Sequence, residues 1–393
     1  MKKLLSFAVC LTLLLALSVP SIAQGYQFTT VKEIKVTPVK NQANTGTCWC
    51  FATTSYFEAE LLRLGKGEYD LSEMFIVRNT YTERLNDNFL RRGKGNLGPG
   101  SVSHTFVNTF NKYGIVPDEA FSGLINGKTA HNHGELQRYL EAIAKVSVDA
   151  KMRSPEYYKL VENLFDTYIG PMPEKFTYKG KEYTPKSFAA SLGLNMNDYV
   201  EITSFNHIPF YGTGYLEFPD NWDNGCYYNL PLDEFMSVID YALNNGFTVA
   251  WDGDVSERGF SHVNGVAINP NIQATPNMLG SDRARFENLN PTERQAEVYK
   301  FEAPFPEIQV TQEIRQQGYE SFVTTDDHLM HLTGIVKDQN GTKYYITKNS
   351  WGTERNKFGG YLNMSESFVR AKTMGIMVHK NAIPAELKKK LGI

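Results

Sequence analysis

"NQANTGTCWCF", Asn41 to Phe51, sets the reading of the whole chain. It brings Gln42, a Gly46–Thr47 turn, Cys48, Trp49 and Cys50 into one short stretch. Four roles are open to Cys48: nucleophile, half of a disulfide, metal ligand, or a small apolar residue opening a helix. Downstream, Trp49, Ala52, Tyr56, Ala59 and Leu62 follow helical spacing, which predicts a helix over Cys48–Leu64 with Gly65 as its stop. A thiol in the first turn of a helix sits where free N–H groups and the dipole favour an anion, so the position predicts a lowered Cys48 pKa.

The other cysteines narrow the choice. Of four, Cys10 lies in an apolar N-terminal run, leaving Cys48, Cys50 and Cys226. Three thiols make no disulfide framework, and no His or Cys stands at zinc-site spacing from Cys48, so no metal is expected. Met1-Lys2-Lys3, the apolar stretch Leu4–Val19 and the small residues Ser21 and Ala23 form a basic, apolar, small-residue series. Residues 1–23 therefore read as a signal peptide, with a mature chain from about Gln24 and export to the periplasm or beyond. That apolar run is short for a span, which takes roughly 20 residues, and no stable membrane span is expected in the mature chain. A net charge of −3 gives no electrostatic case for nucleic acid.

Organisation along the chain predicts an α+β fold. Helices are expected from Asp70 or Ser72 onward, over Val102–Phe110, Glu135–Val146, Glu156–Tyr168 and Asp233–Leu243. Lys179-Gly180 marks a hairpin turn. Phe247–Trp251, Leu332–Val336, Tyr344–Lys348 and Gly360–Met364 read as strands, so helices come first and antiparallel strands later.

A thiolate needs a proton partner, usually His, and the His needs an orienting group. Of eight histidines, His131 and His133 read as solvated, and His104, His207, His262 and His379 have no polar constellation near them in sequence. His328 and His331 lie in "DDHLMHLTGIV", followed by "YYITKNSWG" with Asn349 and Trp351. Asn349 can accept the imidazole N–H and fix its tautomer, and Trp351 can shield that bond. Gln42 stands six residues before Cys48 (48 − 42), where its amide and the Cys48 N–H can form an oxyanion hole.

Together "PVKNQANTGTCWCF", "HLMHLTGI" and "KNSWG" resemble the nucleophile, His and Asn segments of the papain-like cysteine peptidases. The resemblance implies a two-lobed fold, a helical lobe with the nucleophile helix facing a β-rich lobe with His and Asn. It implies catalytic roles for Cys48, His328, Asn349 and Gln42, and no cofactor. It selects His328 over His331, because the family's His stands six residues before a Gly, here Gly334. Gly100 and Trp351 are expected along the substrate. Cys50 is expected to face the packing side, and Asp254 to hold a turn.

Cys48 and His328 are 280 residues apart (328 − 48), against about 130–150 in compact members. "YNLPLDEFMSVIDYALNNGFTVAWDGDVS" and "GGYLNMSESFV" then "IPAEL" are similar to the bleomycin hydrolase and aminopeptidase C branch. That likeness implies one peptidase domain over 24–393 with an insertion roughly over 120–245. It implies peptide substrates, aminopeptidase action with the C-terminal arm in the cleft, and a homohexamer. An exported cysteine endopeptidase and a non-catalytic peptide-binding protein are the alternatives.

Overall fold

The computed structural model describes residues 25–273, 286 and 288–393; the expected leader lies outside them. In chain order the elements are β1 (Thr29–Glu33), α1 (Cys48–Arg63), α2 (Glu73–Leu90), α3 (Ser103–Tyr113), α4 (Gly134–Ala150), α5 (Pro155–Tyr168), β2 (Phe176–Tyr178), β3 (Lys181–Tyr183), α6 (Pro185–Leu192), β4 (Tyr199–Thr203), β5 (Thr213–Tyr215) and β6 (Cys226–Asn229). There follow α7 (Leu232–Asn244), β7 (Val249–Gly253), β8 (Phe260–Ser261), β9 (Val266–Ala267), α8 (Pro291–Val298), α9 (Gln312–Glu320), β10 (His328–Lys337), β11 (Lys343–Lys348), β12 (Tyr361–Ser365), α10 (Glu366–Lys372), β13 (Thr373–His379) and α11 (Ala385–Leu391).

The fold is α+β, as expected. One large sheet runs β5-β6-β4-β13-β7-β10-β11-β12-β9-β8, with β1 paired to β10. Its central strands separate two cores. Ala250, Leu329 and Met377 face α1 and the helical lobe. Trp251, Met330, Leu332 and Ile376 point the other way, onto α7. This is the alternation a strand covered on both faces must show.

Helix α1 is buried from Cys48 to Leu61, so its apolar spacing marks a helix enclosed on all sides rather than a single stripe. Ser72 caps α2 by accepting from the Phe75 N–H. Lys179, at φ 48°, and Gly180, at φ 77°, form the predicted hairpin turn between β2 and β3. Two expectations change. The sheet begins before the C-terminal third, because β4 to β6 extend its edge. The strand containing the His segment starts at His328 itself rather than after it.

Candidate active site

Sheet register brings the site together. Antiparallel pairing sets His331 of β10 opposite Lys348 of β11. Continued past the end of β11, that register sets Trp351 opposite His328 and Asn349 opposite Met330, two residues further along β10. His328 Nε2 and Asn349 Oδ1 are 2.8 Å apart, and the Trp351 ring lies 4.7 Å from the imidazole, centroid to centroid. Helix α1 runs along β10 from the other side. The Leu329 backbone amide faces the Cys48 sulfur, and two turns further Ser55 Oγ is 2.9 Å from His331 Nδ1. Cys48 is therefore next to the strand start that carries His328. Among the described residues no hydrogen bond joins the two side chains.

His331 is fully buried behind the nucleophile helix, against Ser55, beside Lys348. It points away from the cleft. Burial holds its imidazole neutral.

The Gln42 loop is zipped onto the Asn349 segment. Gln42 N–H donates to Ser350 O at 2.8 Å and Gly352 N–H to Lys40 O at 3.1 Å. Ser350 Oγ donates to Gln42 Oε1 at 2.6 Å, which turns Nε2 toward Thr45 O at 2.7 Å. The Gln42 amide is thus oriented by the strand end that orients the His. Below it, Lys40 is held by Glu73 at 2.8 Å and Asp70 at 2.6 Å, which anchors the loop.

Titration in the site differs from the helix-dipole expectation. Burial pushes the Cys48 thiol up to about 12, and the Asp326 and Asp220 carboxylates add to the rise, against the Leu329 amide. Burial pushes His328 down to about 4, despite its bond to Asn349. Each group alone is neutral at pH 7, because desolvation outweighs the helix N-terminus.

The remaining expected residues fall as follows. Trp351 is 36% exposed and covers His328. Gly100 lies at the edge of the glycine-rich loop; a Cβ built on it would overlap the Asp220 carboxylate. Arg84 donates to its carbonyl. Cys50 is buried in the helical core and points at Glu73 O. Asp254 holds a turn, accepting from Ser256 N at 2.8 Å and Thr325 N at 3.0 Å.

Two histidine readings are corrected. His133 is buried, with Nδ1 at 3.2 Å from the Tyr81 hydroxyl, since residues 131–134 fold in against the Asn44 loop. His104 does have a polar constellation, Glu201 and Asp223, both distant in sequence. Burial opposes its charge, but those carboxylates outweigh it and hold His104 up to about 10.

Sequence reasoning also missed His262. Its Nδ1 accepts from Asn349 Nδ2 at 3.2 Å, and its ring meets Trp351 edge-on. Burial keeps it neutral, hence able to accept. It fixes the rotation of the Asn349 amide so that Oδ1 faces His328. No local signal marks it, because it sits on a turn after β8, 87 residues from Asn349.

Two family models match parts of the chain. The model "Papain family cysteine protease" matches residues 24–119, and "Peptidase C1-like family" matches 266–392. The chain belongs to the papain-like cysteine peptidases. Within them it falls on the bleomycin hydrolase and aminopeptidase C branch. Aminopeptidase C of Lactobacillus helveticus is 24% identical, over 91% of this chain and 82% of the relative. "Cysteine proteinase 1, mitochondrial" of Saccharomyces cerevisiae is 22% identical, over 92% of this chain and 79% of its own length. A crystal structure of PepW from Lactobacillus rhamnosis superposes with a TM-score of 0.67 at 18% identity, covering 93% of this chain and 84% of that one. Among the described residues, no helix is long and apolar enough to cross a membrane.

Proposed function

We propose that this cysteine peptidase is an exported aminopeptidase in which Cys48, His328, Asn349 and Gln42 carry the reaction. The observation that carries the assignment is the buried His328–Asn349 pair beneath Trp351, beside the N-terminus of the helix that Cys48 opens. Cys48 Sγ attacks the scissile carbonyl carbon as His328 Nδ1 takes its proton; Nε2, bonded to Asn349, keeps Nδ1 free to act as base. The oxyanion rests on the Cys48 N–H, which as a first-turn amide has no acceptor within the helix, and on Gln42 Nε2. His328 then protonates the leaving amine, and water cleaves the acyl-enzyme. Gly100 and Trp351 border the bound peptide.

The basic, apolar and small-residue series at the N-terminus supports export to the periplasm or outside. The match to aminopeptidase C supports action on free N-termini. A hexamer, and an insertion roughly over 120–245, rest on the family likeness alone. One observation favours the endopeptidase reading. Leu387, Leu391 and Ile393 pack with α7 on the sheet face opposite Cys48, and Lys390 pairs with Glu234 at 2.6 Å. This packing supports a cleft that Ile393 leaves open.

The test uses the chain from Gln24 with one peptide, free and N-acetylated, with and without a thiol alkylator, read by mass spectrometry. Stepwise loss of N-terminal residues from the free form alone, blocked by alkylation, is expected. Internal cuts in both forms mean an endopeptidase, and no alkylation-sensitive cleavage means a binding protein. N-terminal sequencing and light scattering check the leader and the assembly.

A further inference from the structure

We propose that Asp252, Asp326 and Asp220 form the receptor for a primary ammonium of the substrate, taking the α-amino group of its first residue. The inference rests on the peptidase reading above and supplies what the C-terminal residues do not.

Asp252 lies on β7 opposite Leu329 of β10, the residue whose N–H faces the Cys48 sulfur. Its neighbour Trp251 packs onto α7, and Ala250 packs toward α1. Strand alternation therefore sends the Asp252 side chain to the Cys48 side. Asp326 stands two residues before His328 and faces Asp252. Asp220 lies over Gly100, at the opposite rim. Cys48 feels the charges of Asp326 and Asp220, and Asp252 feels those of Asp220 and Cys48. The three carboxylates therefore lie within electrostatic reach of one another and of the sulfur.

They are short of partners. Asp252 is only 5% exposed, yet among the described residues no N–H or hydroxyl group donates to either of its oxygens, and none donates to Asp326 Oδ2. Asp252 and Asp326 approach closely enough to share one proton between them, and burial raises both. The cations nearest to the cluster are engaged. Arg84 donates to Gly98 and Gly100 carbonyls while facing Asp220, and His104 is held by Glu201 and Asp223. Five carboxylates thus face two cations.

A buried carboxylate without a donor costs stability unless something pairs with it. Among the described residues the oxygens do not converge as a metal-ligand set. An ammonium, with three N–H donors and one charge, matches a site of spread carboxylates. The shared chemistry is a primary ammonium, and either a peptide N-terminus or a lysine side chain could bring it.

The test compares the mature chain with Asp252→Asn and Asp326→Asn on three peptides: free N-terminus, N-acetylated, and N-acetylated with Lys next to the scissile residue. Each variant is expected to lose roughly 10- to 100-fold in kcat/KM on the free peptide, at least tenfold more than on the acetylated one. A loss confined to the lysine peptide keeps the receptor and assigns it to a side chain. Equal losses on all three overturn it. Should the wild type cleave nothing, calorimetry on Cys48→Ala with the free and acetylated peptides decides separately. Tighter binding of the free form, lost in Cys48→Ala/Asp252→Asn, supports the receptor without any peptidase activity; equal binding overturns it.

Discussion

His262→Phe isolates the residue that orients the orienter. Among the described residues the Asn349 side chain has three polar contacts: Oδ1 with His328 Nε2 at 2.8 Å, Oδ1 from Ser350 N–H at 2.7 Å, and Nδ2 to His262 Nδ1 at 3.2 Å. The variant removes only the third, and a phenyl ring keeps the edge-on packing against Trp351. One neutral hydrogen bond contributes about 1 kcal/mol, so kcat should fall about 5-fold. A full flip of the amide stays unfavourable, since its NH2 would meet both the Ser350 N–H and the His328 N–H. KM should hold, because Asn349 acts on His328 rather than on substrate. The pH profile separates positioning from general damage. Burial lowers the His262 pKa. Below it Nδ1 carries a proton and cannot accept, so the wild type loses activity on that acid limb, and the variant should lack that component. The assay is steady-state cleavage of a free-amine peptide from pH 4 to 8. An unchanged kcat, a fall as large as that of His328→Ala, or a change in KM alone would refute the positioning role.

Cys48→Ala should abolish turnover and leave the thermal midpoint close to wild type, since a small buried residue replaces another; a large drop in the midpoint by calorimetry would contradict this. His328→Ala should cost orders of magnitude in kcat, whereas His331→Ala should chiefly destabilise, by about 2–3 kcal/mol in urea titration, through a lost buried hydrogen bond and a cavity; a dead but stable His331→Ala would reverse the assignment. Burial lowers Lys348 from 10.5 to about 8, against the pull of Glu58. The folded-state pKa is below the unfolded one, so the penalty is full below pH 8 and lifts as pH rises toward 10.5, worth about 3 kcal/mol. Lys348→Met should therefore gain on wild type most at pH 7, and that advantage should shrink by pH 10. Deleting residues 385–393 should destabilise the fold by removing buried Leu387 and Leu391, yet keep the preference for free N-termini; a switch to internal cleavage would place the tail, not the aspartates, in control.

What the sequence reveals depends on how local each determinant is. Cys48, Gln42 and the Asn349-Ser350-Trp351 run are legible because each is fixed by neighbours a few residues away, and the register of β10 on β11 does the rest. The preference for His328 over His331 rests on the spacing to Gly334; in the structure three residues along a strand reverse the side-chain direction, so His328 meets Asn349 and His331 meets Ser55. By contrast, His262, Asp220 and Asp252 gain meaning only from strand order. β7 pairs with both β10 and β13, separated from it by 75 residues or more, and no periodicity encodes that. Short buried strands such as β4 and β6 also carry no clear alternation. The Cys48 expectation failed for a different reason. A helix N-terminus lowers a thiol pKa in proportion to its free N–H groups, but this helix is enclosed, and desolvation together with two carboxylates dominates.

That reversal bears on how the cleft selects its substrate. A thiol held at about 12 beside an imidazole held at about 4 is a resting pair. Part of the thiol's rise comes from Asp326 and Asp220, which are also members of the proposed receptor. Their charge works in the same direction as burial, which is the larger cause. An ammonium seated among those carboxylates offsets their part of the rise and leaves the larger part, from burial, in place. A peptide with a blocked N-terminus leaves both parts in place. On this account the aspartates act twice, by binding the free amine and by easing loss of the Cys48 proton when the amine is bound. Discrimination then appears in kcat as well as in KM, which a simple anchoring site would not produce.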